Sequence, residues 1–178
     1  SISKANCIRK RNLSVSEGEQ AFTLVELLVV IAIIAVLAGA VLIAINPQSL
    51  IQKSRDSKRL QDMDTLVKAV NLSLADGEIT LNVAGPTTSS MGAGAQDVDG
   101  TGWVSFTVPV GKTGLSKYIP ALPLDPLNTT NVYTFQSTLT DFEINAVLEH
   151  TDSVVKMGTD GGDNAAVYEV GTSLTILN

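Results

Sequence analysis

From Phe22 to Ile45 the chain runs for twenty-four residues with a single charged side chain, Glu26. A helix of that length reaches roughly 36 Å at about 1.5 Å per residue, and about 20 apolar residues suffice to span the hydrocarbon core of a bilayer. Ahead of the run, Ser1–Ala21 sets Lys4, Arg9, Lys10 and Arg11 against Glu17 and Glu19, a net of +2; the whole chain carries −6, so the remainder carries −8. A basic segment before a long apolar run is the arrangement of an exported protein. The cations are expected to stay on the cytoplasmic side while the acidic body is translocated. That acidic body also disfavours a nucleic-acid surface, where affinity comes mainly from cations on phosphates, so no specific nucleic-acid partner is expected. Cys7 is the only cysteine in the sequence, which excludes a disulfide within it.

The residues of the run leave two readings open. Ala38-Gly39-Ala40 offers an A-x-A-like cleavage site for an ordinary secretory signal, yet the run exceeds the 7–15 residues usual for the apolar region of such a signal. Glu26 either lies at the membrane edge and reaches to water, or it has a partner built for it.

The wording of the segment bears on that choice. Ala21-Phe22-Thr23-Leu24-Val25-Glu26-Leu27-Leu28-Val29-Val30-Ile31-Ala32-Ile33-Ile34 resembles the class III signal of type IV prepilins and pseudopilins. The resemblance implies that a prepilin peptidase cuts between Ala21 and Phe22, that the new amine at Phe22 is methylated, and that Glu26 becomes the fifth residue of the mature chain. One position departs from the family pattern: the residue before the cut is usually glycine, and here it is Ala21. Gly18 lies three residues earlier, but a cut after it would make Glu26 eighth. The resemblance further implies a structural subunit, not an enzyme, forming a helical homo-oligomer. Its partners would be the peptidase, an assembly platform with its ATPase, and the inner membrane before the subunit enters a cell-surface filament. A major pseudopilin of a type II secretion system is the alternative within the family. From another class, the competitor is a membrane-anchored binding protein with an uncleaved helix.

After Ile45, Asn46-Pro47 should kink or open the helix, since proline lacks the amide and restricts the residue before it. Leu60, Met63, Val67, Val70 and Leu74 then recur at steps of three and four, one apolar face of a helix that Asp76-Gly77 ends. No apolar residue lies between Gln52 and Arg59, so this stretch reads as a solvated or subunit-facing neck. Its cations Lys53, Arg55, Lys58 and Arg59 read as a charged helix face, neutralised by Asp56, Asp62 and Asp64, in preference to a lipid or DNA patch. Past Asp76, strands are expected at Ile79–Val83, Trp103–Val110, Val132–Gln136, Phe142–Leu148, Ser153–Met157 and Ser173–Leu177, with a short helix at Lys112–Ile119. The expected fold is α+β: a long N-terminal helix, half membrane-spanning and half amphipathic, packed on a small antiparallel sheet as in pilins. The expected divisions are a leader at 1–21, the apolar helix at 22–46, the amphipathic helix at 47–76 and a β-rich body at 77–178. Tyr118-Ile119-Pro120-Ala121-Leu122-Pro123-Leu124-Asp125-Pro126 also resembles a segment of major pseudopilins and some bacterial pilins, and its prolines stiffen the loop for a subunit contact.

No cofactor is required by this reading, although two acidic, glycine-rich stretches invite calcium. Asp97-Val98-Asp99-Gly100 begins like an EF-hand loop but meets Val108 where that loop needs its glutamate. Thr159-Asp160-Gly161-Gly162-Asp163-Asn164 lies where the family resemblance implies a calcium loop in major pseudopilins. Asp160 and Asp163 are therefore the first candidate ligands, Asp97 and Asp99 the second, against the plainer reading of two turns built from Asp and Gly. His150 is the only histidine and reads as a surface residue at a strand end. No nucleophile-base spacing, phosphate loop or zinc ligand set appears in the sequence.

Overall fold

The computed structural model describes residues 22–177 and divides the chain after Ile45. The apolar run is a helix, α1 (Leu24–Ile45), with no buried residue. It starts in a capping box, in which the residue before the helix and the third residue inside it satisfy each other's orphan amides. Glu26 Oε2 accepts the Thr23 N–H at 2.8 Å and the Thr23 hydroxyl at 2.8 Å, and the Glu26 N–H reaches Thr23 Oγ1 at 3.2 Å. Thr23 and Glu26 have the T-x-x-E spacing of such a box.

The second unit opens at Asn46, whose φ of 46° is left-handed. Asparagine is among the few non-glycine residues that enter this region readily. Pro47 then begins α2 (Pro47–Ala75), in the first-turn position where a missing amide removes nothing. The helix closes in a Schellman motif. Gly77, at φ +64°, donates to Leu74 O at 3.1 Å, and Glu78 N–H donates to Ser73 O at 2.8 Å. Those bonds satisfy carbonyls the helix end leaves free. The buried face of α2 comprises Asp56, Arg59, Met63, Leu66, Ala69, Val70 and Ser73. Met63 and Val70 are as expected; Leu60, Val67 and Leu74 flank the face and are only half-buried.

Four antiparallel strands form one sheet in chain order: β1 (Ala84–Thr88), β2 (Thr134–Ser137), β3 (Phe142–Ala146) and β4 (Tyr168–Gly171). Phe135 pairs with Ile144, and Val170 lies on the other side of Ile144, so alternate residues of three strands face the core. There Phe135, Phe142 and Ile144 join Met63, Leu66 and Val70 of α2, together with Ile79, Trp103, Leu115 and Leu122. Trp103 and Tyr133 rings stand 5.9 Å apart, and the Trp103 indole N–H donates to Pro123 O at 2.9 Å. The architecture is α+β and pilin-like, with a long apolar helix, a second helix and a small antiparallel sheet.

Four expected strands are not strands. Ile79–Val83 and Trp103–Val110 touch only through one bridge, Thr80 with Thr107. Their apolar residues mark burial rather than pairing, since Ile79, Trp103, Val104 and Phe106 lie in the core. The third, Ser153–Met157, is helical: α3 (Thr151–Val154) runs into a 3-10 turn at Val155–Gly158. Val154 and Val155 are there exposed, 39% and 67%. Ser173–Leu177 is a strap outside the sheet, with Ile176 and Leu177 amides bonded to the Glu143 carboxylate instead of a ladder. The short helix expected at Lys112–Ile119 is present as a 3-10 turn, Gly114–Lys117. The sequence reading missed β1 because Gly85 and Pro86 interrupt it. Proline survives at this sheet edge where the register shifts.

Candidate functional site

Phe22 stands 89% exposed just before α1, and the first turn presents Glu26 to the surface. Ala21 and the leader 1–21 lie outside the described residues. Of the two alternatives for Glu26, the structure supplies a third element: the carboxylate is already held by Thr23, within its own chain. A helix of 22 residues, apolar and exposed along its length, satisfies the length and composition requirement for a membrane span.

Within the neck expected to be solvated or subunit-facing, Asp56 and Arg59 turn inward into a buried ion cluster while Lys53, Ser54, Ser57 and Lys58 stay exposed. Arg59 is fully buried and extends a two-pronged bond to Asp125, Nε to Oδ2 at 2.6 Å and Nη2 to Oδ1 at 3.0 Å. Its Nη1 donates to Asp56 at 2.9 Å and its Nη2 to Glu149 at 2.8 Å. Arg55 pairs with Glu149 as well, and Asn131 donates to it at 2.9 Å. Asp56 in turn accepts the backbone N–H groups of Glu149 and His150. Burial opposes the charge on Arg59, and the bonds to Asp125 and Glu149 outweigh it, so its pKa rises further above an already high range. Burial likewise opposes ionisation of Glu149, but Arg55 and Arg59 hold its carboxyl below the usual range. Planar guanidinium suits such multiple pairing better than an ammonium. The cluster fixes the proline-rich segment that ends in Asp125-Pro126, because Asp125 Oδ1 also accepts the Leu127 N–H at 2.8 Å. Lys53 and Lys58 remain on the charged face as expected, paired with Asp152 and Asp62.

His150 is buried and not a surface residue. Its Nδ1 accepts the Asp152 N–H at 3.2 Å, capping α3, and its Nε2 meets Ser49 Oγ at 2.9 Å. The Asp152 carboxylate lies 3.6 Å from Nδ1. The trio imitates a Ser-His-Asp arrangement, but the capping bond leaves the ring hydrogen on Nε2. In that tautomer the ring donates to Ser49 and cannot take its proton.

The four expected calcium residues sit in turns. Asp99 Oδ1 accepts the N–H and hydroxyl of Thr101, and Asp97 is exposed. Asp160 uses Oδ1 for the Gly162 N–H at 3.1 Å and Oδ2 for the Glu169 N–H at 2.8 Å, while Asp163 is exposed. Among the described residues, no three His, Cys, Asp or Glu side chains form a metal-holding group.

Compared with known protein families, residues 18–42 match the prokaryotic N-terminal methylation motif. No curated protein and no solved structure shows significant similarity to the chain. The motif, together with the α+β architecture, supports a type IV pilin-like or pseudopilin precursor. Pilins and pseudopilins are structural subunits, and a motif of this type implies, in general, processing by prepilin peptidase and assembly into a filament. The signal and the apolar helix fit a membrane-anchored precursor.

Proposed function

We propose that the chain is the structural subunit of a type IV pilus-like filament, held in the inner membrane by Phe22–Ile45 and then packed helix to helix at the cell surface. The observation that carries this reading is one carboxylate, Glu26, four residues beyond Phe22 in a helix whose apolar residues are all uncovered. Cleavage before Phe22 creates an amine, and methylation leaves it cationic. Inside a bundle of apolar helices that cation is desolvated, and Glu26 of an adjacent copy supplies its partner. A buried pair adds little net stability, but leaving one member alone costs about 3–5 kcal/mol. Glu26 therefore governs register and entry into the polymer more than affinity. A contact of this kind runs head to tail, and a heterologous contact that does not close grows into a fibre. ATP is used by the assembly machinery.

Mass spectrometry of the mature N-terminus tests the reading: methyl-phenylalanine at Phe22 supports it, and an intact leader or a start after Ala40 defeats it. Glu26→Ala should insert into membranes and fold normally yet form no fibres. The pseudopilin of a type II secretion system is the second reading, favoured by the Tyr118–Pro126 segment. Electron microscopy distinguishes the two, since extended surface fibres belong to a pilus.

A further inference from the structure

We propose that the outer face of the sheet binds one hard divalent cation through Glu143 and Asn145 of β3 and Glu169 of β4. Asn145 and Glu169 are partners in the strand register, and Glu143 lies two residues away on the same face. All three are buried, at 0%, 7% and 2% exposure. Each presents an oxygen without any hydrogen-bond partner: Glu143 Oε1, Asn145 Oδ1 and Glu169 Oε1. Buried polar atoms are rarely left so.

The second oxygen of each carboxylate is anchored. Glu143 Oε2 accepts the amides of Ile176 at 2.6 Å and Leu177 at 3.0 Å, and Glu169 Oε2 accepts the Asn164 amide at 3.0 Å. The strap and the 160–164 loop thus hold two carboxylates in place with one oxygen of each free. The two carboxyls lie within hydrogen-bonding reach of each other, and the charges acting on Glu169 are Glu143 and Asp160, both negative.

A proton shared between Glu143 and Glu169 would satisfy two of the three free oxygens and leave Asn145 Oδ1 bare. A cation satisfies all three and cancels the charge of the pair. Two carboxylates and an amide carbonyl form an all-oxygen set, which selects hard ions of the calcium class over metals that seek thiolate or imidazole. The remaining coordination positions fall to water and backbone carbonyls. These strand residues, rather than Asp160 with its two oxygens occupied or the exposed Asp163, are the ones short of a partner.

The test is calorimetry and thermal melting of the full chain in detergent, stripped with chelator and titrated with calcium chloride, then magnesium chloride. The expected result is one site per chain and a saturable rise in Tm, since binding to the folded state alone stabilises by mass action. Glu169→Gln should weaken binding at least tenfold. Asn145→Asp, which adds charge at the third ligand, should tighten it several-fold, and serves if Glu169→Gln lacks a cooperative melt. The proposal is overturned if the wild-type chain binds neither ion at millimolar concentration. It is equally overturned if Asn145→Asp leaves affinity unchanged, or if Asp163→Asn abolishes binding that Glu169→Gln retains.

Discussion

Arg59 and Asp125, sixty-six residues apart in the sequence, meet in a fully buried two-pronged ion pair at 2.6 and 3.0 Å. The pair joins α2 to the proline-rich loop, and it is the centre of a cluster with more acids than bases. Removing the guanidinium leaves Asp56, Asp125 and Glu149 facing one another without it. Arg59→Ala should therefore cost about 3–5 kcal/mol, the loss expected when a buried charge is stripped of its partner. Arg59→Lys should recover only part of this, because an ammonium cannot reproduce the fork. Urea unfolding of the full chain in detergent measures both.

The capping box at the start of α1 predicts a local effect. Thr23→Ala deletes the hydroxyl that bonds Glu26 in both directions, a change expected to cost about 1 kcal/mol. Amide exchange in the first turn should quicken roughly fivefold, with Thr23→Ser restoring the wild-type rate. Hydrogen exchange read by mass spectrometry resolves that turn.

Glu149 gives the cluster a pH dependence. Its carboxyl is held below the unfolded range by Arg55 and Arg59. Its contribution is therefore complete above the unfolded pKa of about 4.3 and is lost as pH falls through the lower folded value. Thermal melts between pH 6 and pH 3 should show Tm falling with acid. The slope should be shallower in Glu149→Gln, which keeps an acceptor for Arg59 but does not titrate.

Gly162 predicts a steric outcome. A Cβ there would lie 1.9 Å from Glu169 Oε2, whereas one at Gly158 meets nothing within 4 Å. Gly162→Ala must displace the loop or the carboxylate, at about 1–3 kcal/mol, the usual range for overpacking. Gly158→Ala should be neutral or slightly stabilising, through a less flexible unfolded chain. Differential scanning calorimetry of the two variants compares the costs directly.

The sequence made the local features plain and concealed the distant ones. The apolar helix, its single acid, the break at Asn46-Pro47 and the stop at Gly77 each depend on a few neighbouring residues. Strand Phe142–Ala146 fell inside its expected range and Thr134–Ser137 overran its own by one residue, because their alternation is visible. The ion cluster was not visible, because Arg59, Asp125 and Glu149 are brought together only by the tertiary fold, and interleaved charges on a helix look alike whether solvated or buried. Trp103–Phe106 had a strand's composition and a core residue's burial, and hydrophobicity reports only the second. His150 was misplaced for a related reason: its capping bond to Asp152 turns the following valines into a helix, against their β-branched preference.

The contact between Thr23 and Glu26 has a consequence for growth and dismantling of the proposed fibre. A lone acid waiting in lipid would be a standing penalty, relieved abruptly on polymerisation and restored just as steeply on release. With a hydroxyl and an amide already holding that acid, joining the fibre becomes a swap of one set of donors for another. Part of what the acid costs in lipid is thus met before any second copy arrives.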